Sequence, residues 1–218
     1  MKIGQRELLL SYVPKLNDCL SVLPDEMIHS NSLCRKYIAK INQRLALCNL
    51  KPRIASWRYN RGNRFLNRNI GKKNHIFLND SSIEISSLQH TQEIPEIIQV
   101  DDSVQEIVGS LIDGLQDRDT IVRWSCAKGI GRIAERLPRD FAEEVIDGIL
   151  SLFGENLLYR TVSDTLIASI DAVSDSTWHG ACLALAEFAR RGLLLPQKLD
   201  VAIPWVKMVT TDFFFYLK

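Results

Sequence analysis

The 218-residue chain lacks the marks of several common protein classes. Its cysteines, Cys19, Cys34, Cys48, Cys126 and Cys182, are odd in number, form no C-x-x-C pair and are joined by no histidines at metal spacing. Neither a disulfide framework nor a zinc site is indicated, and a reducing cytoplasmic setting fits best. The N-terminus Met1-Lys2-Ile3-Gly4-Gln5-Arg6-Glu7 carries charge where a signal peptide needs an apolar run, and Leu8 to Leu10 is too short to supply one. Pro204, Lys207 and Asp212 interrupt the apolar stretch Val201 to Leu217, whereas a bilayer span needs about 20 mostly apolar residues. No membrane partner is expected. Gly71-Lys72-Lys73 lacks the upstream glycine and the hydroxyl residue of a phosphate loop. His179 stands beside Trp178 without a serine or cysteine nucleophile and an orienting carboxylate implied by the spacing, so a packed or capping histidine is the preferred reading. The sequence therefore predicts a non-enzyme with no catalytic residue, metal or cofactor.

What is present is an uneven spread of charge. Lysine plus arginine total 27 against 26 acids, and the net charge of +1 argues against a surface that binds polyanions everywhere. Yet no Asp or Glu lies between Met27 and Asn79, where Arg35, Lys36, Lys40, Arg44, Lys51, Arg53, Arg58, Arg61, Arg64, Arg68, Lys72 and Lys73 all fall. The following stretch, Asp80 to Asp119, is acidic with Arg118 opposing it. Such a division concerns partners or self-pairing rather than fold.

Apolar residues recur at three- and four-residue spacing in several windows, which predicts an all-α protein. One stripe is Cys34, Tyr37, Ile38, Ile41, Leu45 and Cys48; a second is Val104, Ile107, Val108, Leu111, Ile112 and Leu115, with Asp101, Asp102 and Ser103 placed to cap it. A third runs from Val122 through Cys126, Ile130, Ile133 and Ala134 to Leu137, started by Asp119 or Thr120 and stopped by Pro138. Phe141 to Phe153 and Trp178 to Ala189 complete the set, and Glu7 to Leu23 makes a helix or two around Pro14. Trp124 and Trp178 are assigned to the core. The chain divides into N-terminal helices over 1–66, a flexible charged linker over 67–99, helical repeats over 100–208 interrupted at 154–175, and a tail over 209–218. Ser82 to Ile85 alternates like a strand but has nothing obvious to pair with, and Leu157 to Val173 suggests an extra helix. Val104 to Pro138 and Phe141 to Pro196 look like tandem α-hairpins. Asp117 to Ala127 has the residue order of a HEAT repeat turn, in which Asp119 can cap the second helix and meet Arg123 four residues on.

Gly129-Ile130-Gly131-Arg132-Ile133-Ala134 matches a dinucleotide fingerprint, but helical periodicity precedes it where a strand should, so the glycines are read as allowing close helix packing. The most unusual segment, Lys51 to Phe65, interleaves basic residues with aromatics. Its candidates for protein binding are Arg53, Trp57, Arg58, Tyr59, Arg61 and Arg64, whose guanidinium forks suit carboxylates and whose rings suit an interface. The same mixture suits phosphates and stacked bases, or an internal tether in which Trp57 packs and the arginines meet the acidic block after Asp80.

Three blocks carry a resemblance: R-I-A-S-W-R-Y-N-R-G at Arg53 to Gly62, D-T-I-V-R-W-S-C-A-K-G-I-G-R-I at Asp119 to Ile133, and W-H-G-A-C-L-A-L-A-E-F-A-R-R-G-L-L-L-P at Trp178 to Pro196. Together they resemble the tubulin-folding cofactor D family over residues 5 to about 208. The resemblance implies a superhelix of HEAT and armadillo-like repeats in a cytosolic chaperone. It further implies capture of β-tubulin, assembly and disassembly of the αβ heterodimer with other tubulin-folding cofactors, a part in activating GTP hydrolysis by tubulin, and binding of an Arf-like small GTPase. Microtubule association would follow. Family members are several times longer, so the chain reads as an internal portion, an alternative product or a gene-model fragment, with 154–175 an insertion and both ends exposing apolar surface. A nucleic-acid-binding helical repeat and a nonfunctional truncated product are the alternatives.

Overall fold

Side-chain caps and helix breakers set the first boundaries. In the computed structural model, which describes residues 12, 15, 19, 22, 25–52, 55–59, 100–162, 165–169 and 172–216, α1 (Asp25–Ser30) gives way at Asn31 to α2 (Ser32–Asn49). The Asn31 side chain accepts hydrogen bonds from the Leu33 and Cys34 backbone N–H groups at 2.9 and 3.3 Å, satisfying donors that a helix start leaves unpaired. Asp101 does the same for α3 (Asp102–Asp113), accepting from the Ser103 N–H at 2.8 Å. A 3₁₀ turn over Gly114–Gln116 leads to α4 (Thr120–Ala134), and Pro138 separates it from α5 (Arg139–Ser151). Strands β1 (Leu158–Val162) and β2 (Thr165–Ser169) follow, then α6 (Asp175–Arg191) and α7 (Pro196–Tyr216). All described residues belong to one compact unit. The predicted helix over Glu7–Leu23, the Ser82–Ile85 strand and the 67–99 linker lie outside the described residues, apart from isolated positions before Asp25.

Helices α2, α4 and α6 stand side by side and parallel. Arg35, in the first turn of α2, reaches Asp117 and Asp119 at the entry to α4, while the Arg136 guanidinium just past α4 donates to the Leu47 carbonyl near the end of α2 at 3.2 Å. Arg123 near the start of α4 meets His179 near the start of α6, and Glu135 after α4 meets Arg191 at the end of α6. Behind this layer α3 runs antiparallel to α2, as the 2.8 Å bond from Asn49 to Ser103 records, and α5 packs against α3 and α6. Leu111, Leu115, Ile130, Ile133, Leu137, Ile146, Ile149, Phe153, Phe188 and Leu193 fill the space between, each less than 2% exposed. The expected α3, α4, α5 and α6 stripes supply this core, apart from Leu193, which follows α6.

Small residues let the layers approach. A Cβ on Gly129 would lie 3.2 Å from Leu111, one on Gly131 3.0 Å from Arg191, and one on Gly180 only 1.9 Å from the Leu115 carbonyl oxygen. The G-x-G-x-x-A run is therefore mid-helix packing, with no strand before it among the described residues.

Four expectations need correction. Leu157 to Val173 does not form a helix: β1 and β2 pair antiparallel from Leu158↔Ser169 to Val162↔Thr165. Thr161, Val162, Thr165 and Ile167 are β-branched, which favours the pleated backbone over a helical one. Trp124 is not core but 48% exposed, its ring covered by the Lys128 ammonium 3.6 Å from the centroid. Tyr37, assigned to the α2 stripe, is 53% exposed, and Ala39, Gln43 and Ala46 occupy the buried face instead. Asp119 neither caps α4 with its side chain nor pairs with Arg123, because Arg35 takes its carboxylate at 3.0 Å and Arg123 donates to carbonyls. Trp178 is buried as expected, its indole N–H donating to the Phe153 carbonyl at 3.1 Å. The Phe153 ring in turn stacks on Trp205 of α7 at 5.9 Å between centroids.

Trp178→Ala is expected to destabilise the fold by about 3–5 kcal/mol, whereas Trp124→Ala should cost less than about 1 kcal/mol. Urea unfolding of the two variants measures both; equal losses would contradict the different burial.

Candidate protein-interaction surface

Of the six sequence-selected residues, Trp57, Arg58 and Tyr59 are described, and Arg53, Arg61 and Arg64 lie outside the described residues. Residues 55–59 cross the C-terminal ends of α4 and α6. The Ala55 N–H donates to the Glu135 carbonyl at 2.8 Å, the Trp57 indole N–H to the Leu137 carbonyl at 3.0 Å, and the Tyr59 N–H to the Gly192 carbonyl at 2.7 Å. The Arg58 guanidinium lies 3.3 Å from the Glu135 carboxylate and 3.4 Å from the Arg191 carbonyl. Its partner is thus Glu135, beyond the acidic block after Asp80 that the tether reading assigned to these arginines. Tyr59 points its ring outward, 59% exposed. Gly192 permits the contact twice over: its φ of 74° is left-handed, and a Cβ there would sit 2.1 Å from the Tyr59 carbonyl oxygen.

The same seam holds a chain of ion pairs that the sequence did not single out. Arg191 bridges Glu135 and Glu187, and Glu187 also accepts from Arg190 at 2.6 Å. Spacing of four residues makes Glu187–Arg191 legible in a helix; the Glu135 link, across 56 residues, is not. Cations here also oppose the negative ends of the α4 and α6 dipoles.

At the other end of the layer the Asp117 carboxylate is gripped by a fork from Arg35, at 2.6 and 3.1 Å, and accepts the Asp119 N–H at 2.8 Å. Burial pushes this carboxyl up, but the Arg35 hydrogen bonds, the Asp119 N–H and the charges of Arg35 and Arg118 outweigh it and hold it below the usual carboxylate value. Arg35 also donates to the Ile28 and His29 carbonyls, tying α1 to α2. Arg123 is 7% exposed and donates to the Asp117 and Arg118 carbonyls, to Thr120 Oγ1 and to His179 Nδ1 at 3.1 Å. His179 is exposed rather than packed into the core, and its Nδ1 accepts from Arg123; desolvation, with the Arg123 charge behind it, pushes the imidazole down. Burial raises the Cys126 thiol to about 12, leaving it protonated and unreactive at neutral pH. No group of three or more metal-ligating side chains gathers among the described residues, and no described helix is long and apolar enough to cross a membrane.

Residues 33–211, which take in α2 through most of α7, match the family described as Tubulin-specific chaperone D-like, ARM repeats. The chain is similar to Tubulin-specific chaperone D of Dictyostelium discoideum, with 39% identity over 180 residues covering 81% of this chain and 11% of that protein. It is also similar to Tubulin-folding cofactor D of Schizosaccharomyces pombe, with 30% identity over 210 residues covering 95% of this chain and 17% of that protein. The chain thus spans a small part of either relative's length. No solved structure matches it significantly.

Asp117→Ala should cost about 2–3 kcal/mol at neutral pH, because it leaves the part-buried Arg35 without its fork. The folded carboxyl lies below its ordinary 3.8, so its stabilisation is complete above that value and disappears as pH falls through the lower folded value. Urea unfolding at pH 7 and pH 3 should therefore show a smaller gap for the variant than for the natural chain, Asp101 keeping part of it through its own lowered carboxyl.

Proposed function

Because the chain belongs to the tubulin-specific chaperone D family of armadillo-repeat proteins, we propose that it serves tubulin folding as a binding scaffold that holds β-tubulin during assembly and disassembly of the αβ heterodimer. The observation that carries this reading is the parallel layer of α2, α4 and α6, matched throughout to the family. In a stack of repeats each helix buries one side against its neighbours and leaves a continuous face for a partner. Recognition then rests on shape and charge rather than on chemistry at a reactive group.

The contact is assigned to the segment carrying Arg53, Trp57, Arg58, Tyr59, Arg61 and Arg64. Trp57 and Arg58 hold residues 55–59 on the α4–α6 seam; Tyr59 offers an exposed ring, and Arg53, Arg61 and Arg64 are chosen for the chemistry of their guanidinium forks, which suits carboxylates. At the level of the longer family protein, the proposal includes the other tubulin-folding cofactors and an Arf-like small GTPase as partners, a contribution to GTPase activation of tubulin, and a cytoplasmic, microtubule-associated location.

Purified chain is expected to co-elute with β-tubulin on a sizing column at low and physiological salt, and to do so in the presence of excess RNA. The variant R53E/R61E/R64E, which leaves Arg58 on Glu135, should lose co-elution while melting like the natural chain. Undiminished binding by that variant would remove the segment from the contact, and displacement by RNA would favour a nucleic-acid partner, whose phosphate-led binding weakens steeply with salt.

A further inference from the structure

The outward faces of α2 and α4 form a second, separate feature. Neither helix contains an Asp or Glu over Ser32–Asn49 or Thr120–Ala134. Each carries one stripe at four-residue spacing: Lys36, Lys40 and Arg44 on α2, and Trp124, Lys128 and Arg132 on α4. Residues four apart lie above one another on a helix, so each stripe runs about 12 Å. The helices are parallel, and the Arg132 guanidinium lies 3.5 Å from Gln43 Oε1, which puts the α4 stripe against the edge of α2. Lys40, Arg44, Arg132, Tyr37 and Trp124 are exposed, and Lys36 and Lys128 are half-buried. No carboxylate among the described residues pairs with any of the five cations. By contrast Arg35 and Arg123, on the same helices, are each held by oxygens of the fold.

We infer that the Lys36/Lys40/Arg44 and Lys128/Arg132 stripes form a docking face for an acidic, partly apolar polypeptide segment. The inference rests on the reading of the chain as a protein-binding scaffold and names the chemistry of what it binds. Two stripes of like charge on neighbouring helices, about 8–10 Å apart, repel one another weakly and gain from a shared anion. Their length suits roughly four residues of extended chain at about 3.3 Å each. Leu33 and Ile121, 51% and 55% exposed on the same helices, supply apolar contact beside the cations. Two observations favour a peptide over a nucleic acid. The Lys128 ammonium sits 3.6 Å from the Trp124 centroid and occupies a face of that ring that a stacking base would have to clear. The basic field is also bounded, since the exposed Asp175 at the start of α6 and the exposed Asp102 at the start of α3, beside the end of α2, oppose a long polyanion.

The test uses the full chain and a fluorescein-labelled peptide of repeated Glu-Glu-Leu, with a Gln-Gln-Leu peptide of equal length and a short oligouridylate as comparisons, read by fluorescence anisotropy. The acidic peptide is expected to bind, the Gln peptide is not, and K36E/K40E/K128E should bind the acidic peptide about tenfold more weakly or worse. The control reversal R139E/K198E, of two cations on α5 and α7 paired with Glu143 and Asp147, should leave binding within about twofold. Should the triple reversal unfold, K36Q/K40Q/K128Q reads the same loss without added repulsion. Equal binding by the folded face variant, equal binding of the Gln peptide, or tighter binding of the oligouridylate through these lysines overturns the inference. Peptide binding without tubulin co-elution would sink the tubulin reading and leave the face standing; tubulin co-elution without peptide binding would do the reverse.

Discussion

The structure depends on the enclosure of α4. This helix has α2 on one side, α6 on the other and α3 behind it, so that beyond Thr120 at its first position only Ile121, Trp124, Lys128 and Arg132 look outward. Such enclosure requires flanks without bulk, and Ser125, Ala127, Gly129, Gly131 and Ala134 provide them. The result sets an electrostatic problem. Parallel helices place their positive N-terminal ends together and their negative C-terminal ends together, an arrangement each dipole disfavours. The chain answers with carboxylates at one end, Asp117 and Asp119, and with Arg58, Arg136 and Arg191 at the other. Arg35 and Arg123 sit at the end where cations are unwelcome, and there their guanidinium forks are taken up by carboxylate and carbonyl oxygens.

This division has a consequence for the surface. The acids that balance the fold are used at the helix ends, close to buried or half-buried partners where their pairing is strong. The middle of the α2–α4 face therefore keeps its cations without counter-charges among the described residues. A chain of net charge +1 thus presents a local basic field while remaining nearly neutral as a whole, the combination that permits a selective acidic partner rather than general polyanion binding.

Much of the fold is legible because helices that bury one side write that side at a period of 3.6 residues. Val104 to Leu115, Val122 to Leu137 and Phe141 to Phe153 are readable on this ground, and so are the cap and breaker at Asp101 and Pro138. Trp124 misleads by residue type, although it stands outside the Val122, Cys126, Ile130 and Ile133 stripe; the period is the better guide. The β-hairpin escapes because its apolar spacing resembles a helix, and its β-branched content is the available signal. Arg35 cannot be matched with Asp117 and Asp119 in advance, since a contact across more than eighty residues leaves no spacing to read. Of the candidate segment, the unusual mixture at Lys51 to Phe65 is visible, but the inward turn of Trp57 and Arg58 is decided by Leu137 and Glu135 far along the chain.

The inward turn of Trp57 and Arg58 fixes the backbone that carries Tyr59. A loop that orders only on binding loses about 1–2 kcal/mol of backbone entropy per residue, which subtracts from affinity. Here the Ala55, Trp57 and Tyr59 donors and the Arg58 ion pair fix the backbone in advance to two helix ends, each bond contributing about 1 kcal/mol net. The Tyr59 ring is consequently presented from a backbone already in place. Because that backbone touches both α4 and α6, a partner seated on Tyr59 would also resist separation of the two helices, and its binding would be linked to the stability of the repeat junction through the same hydrogen bonds.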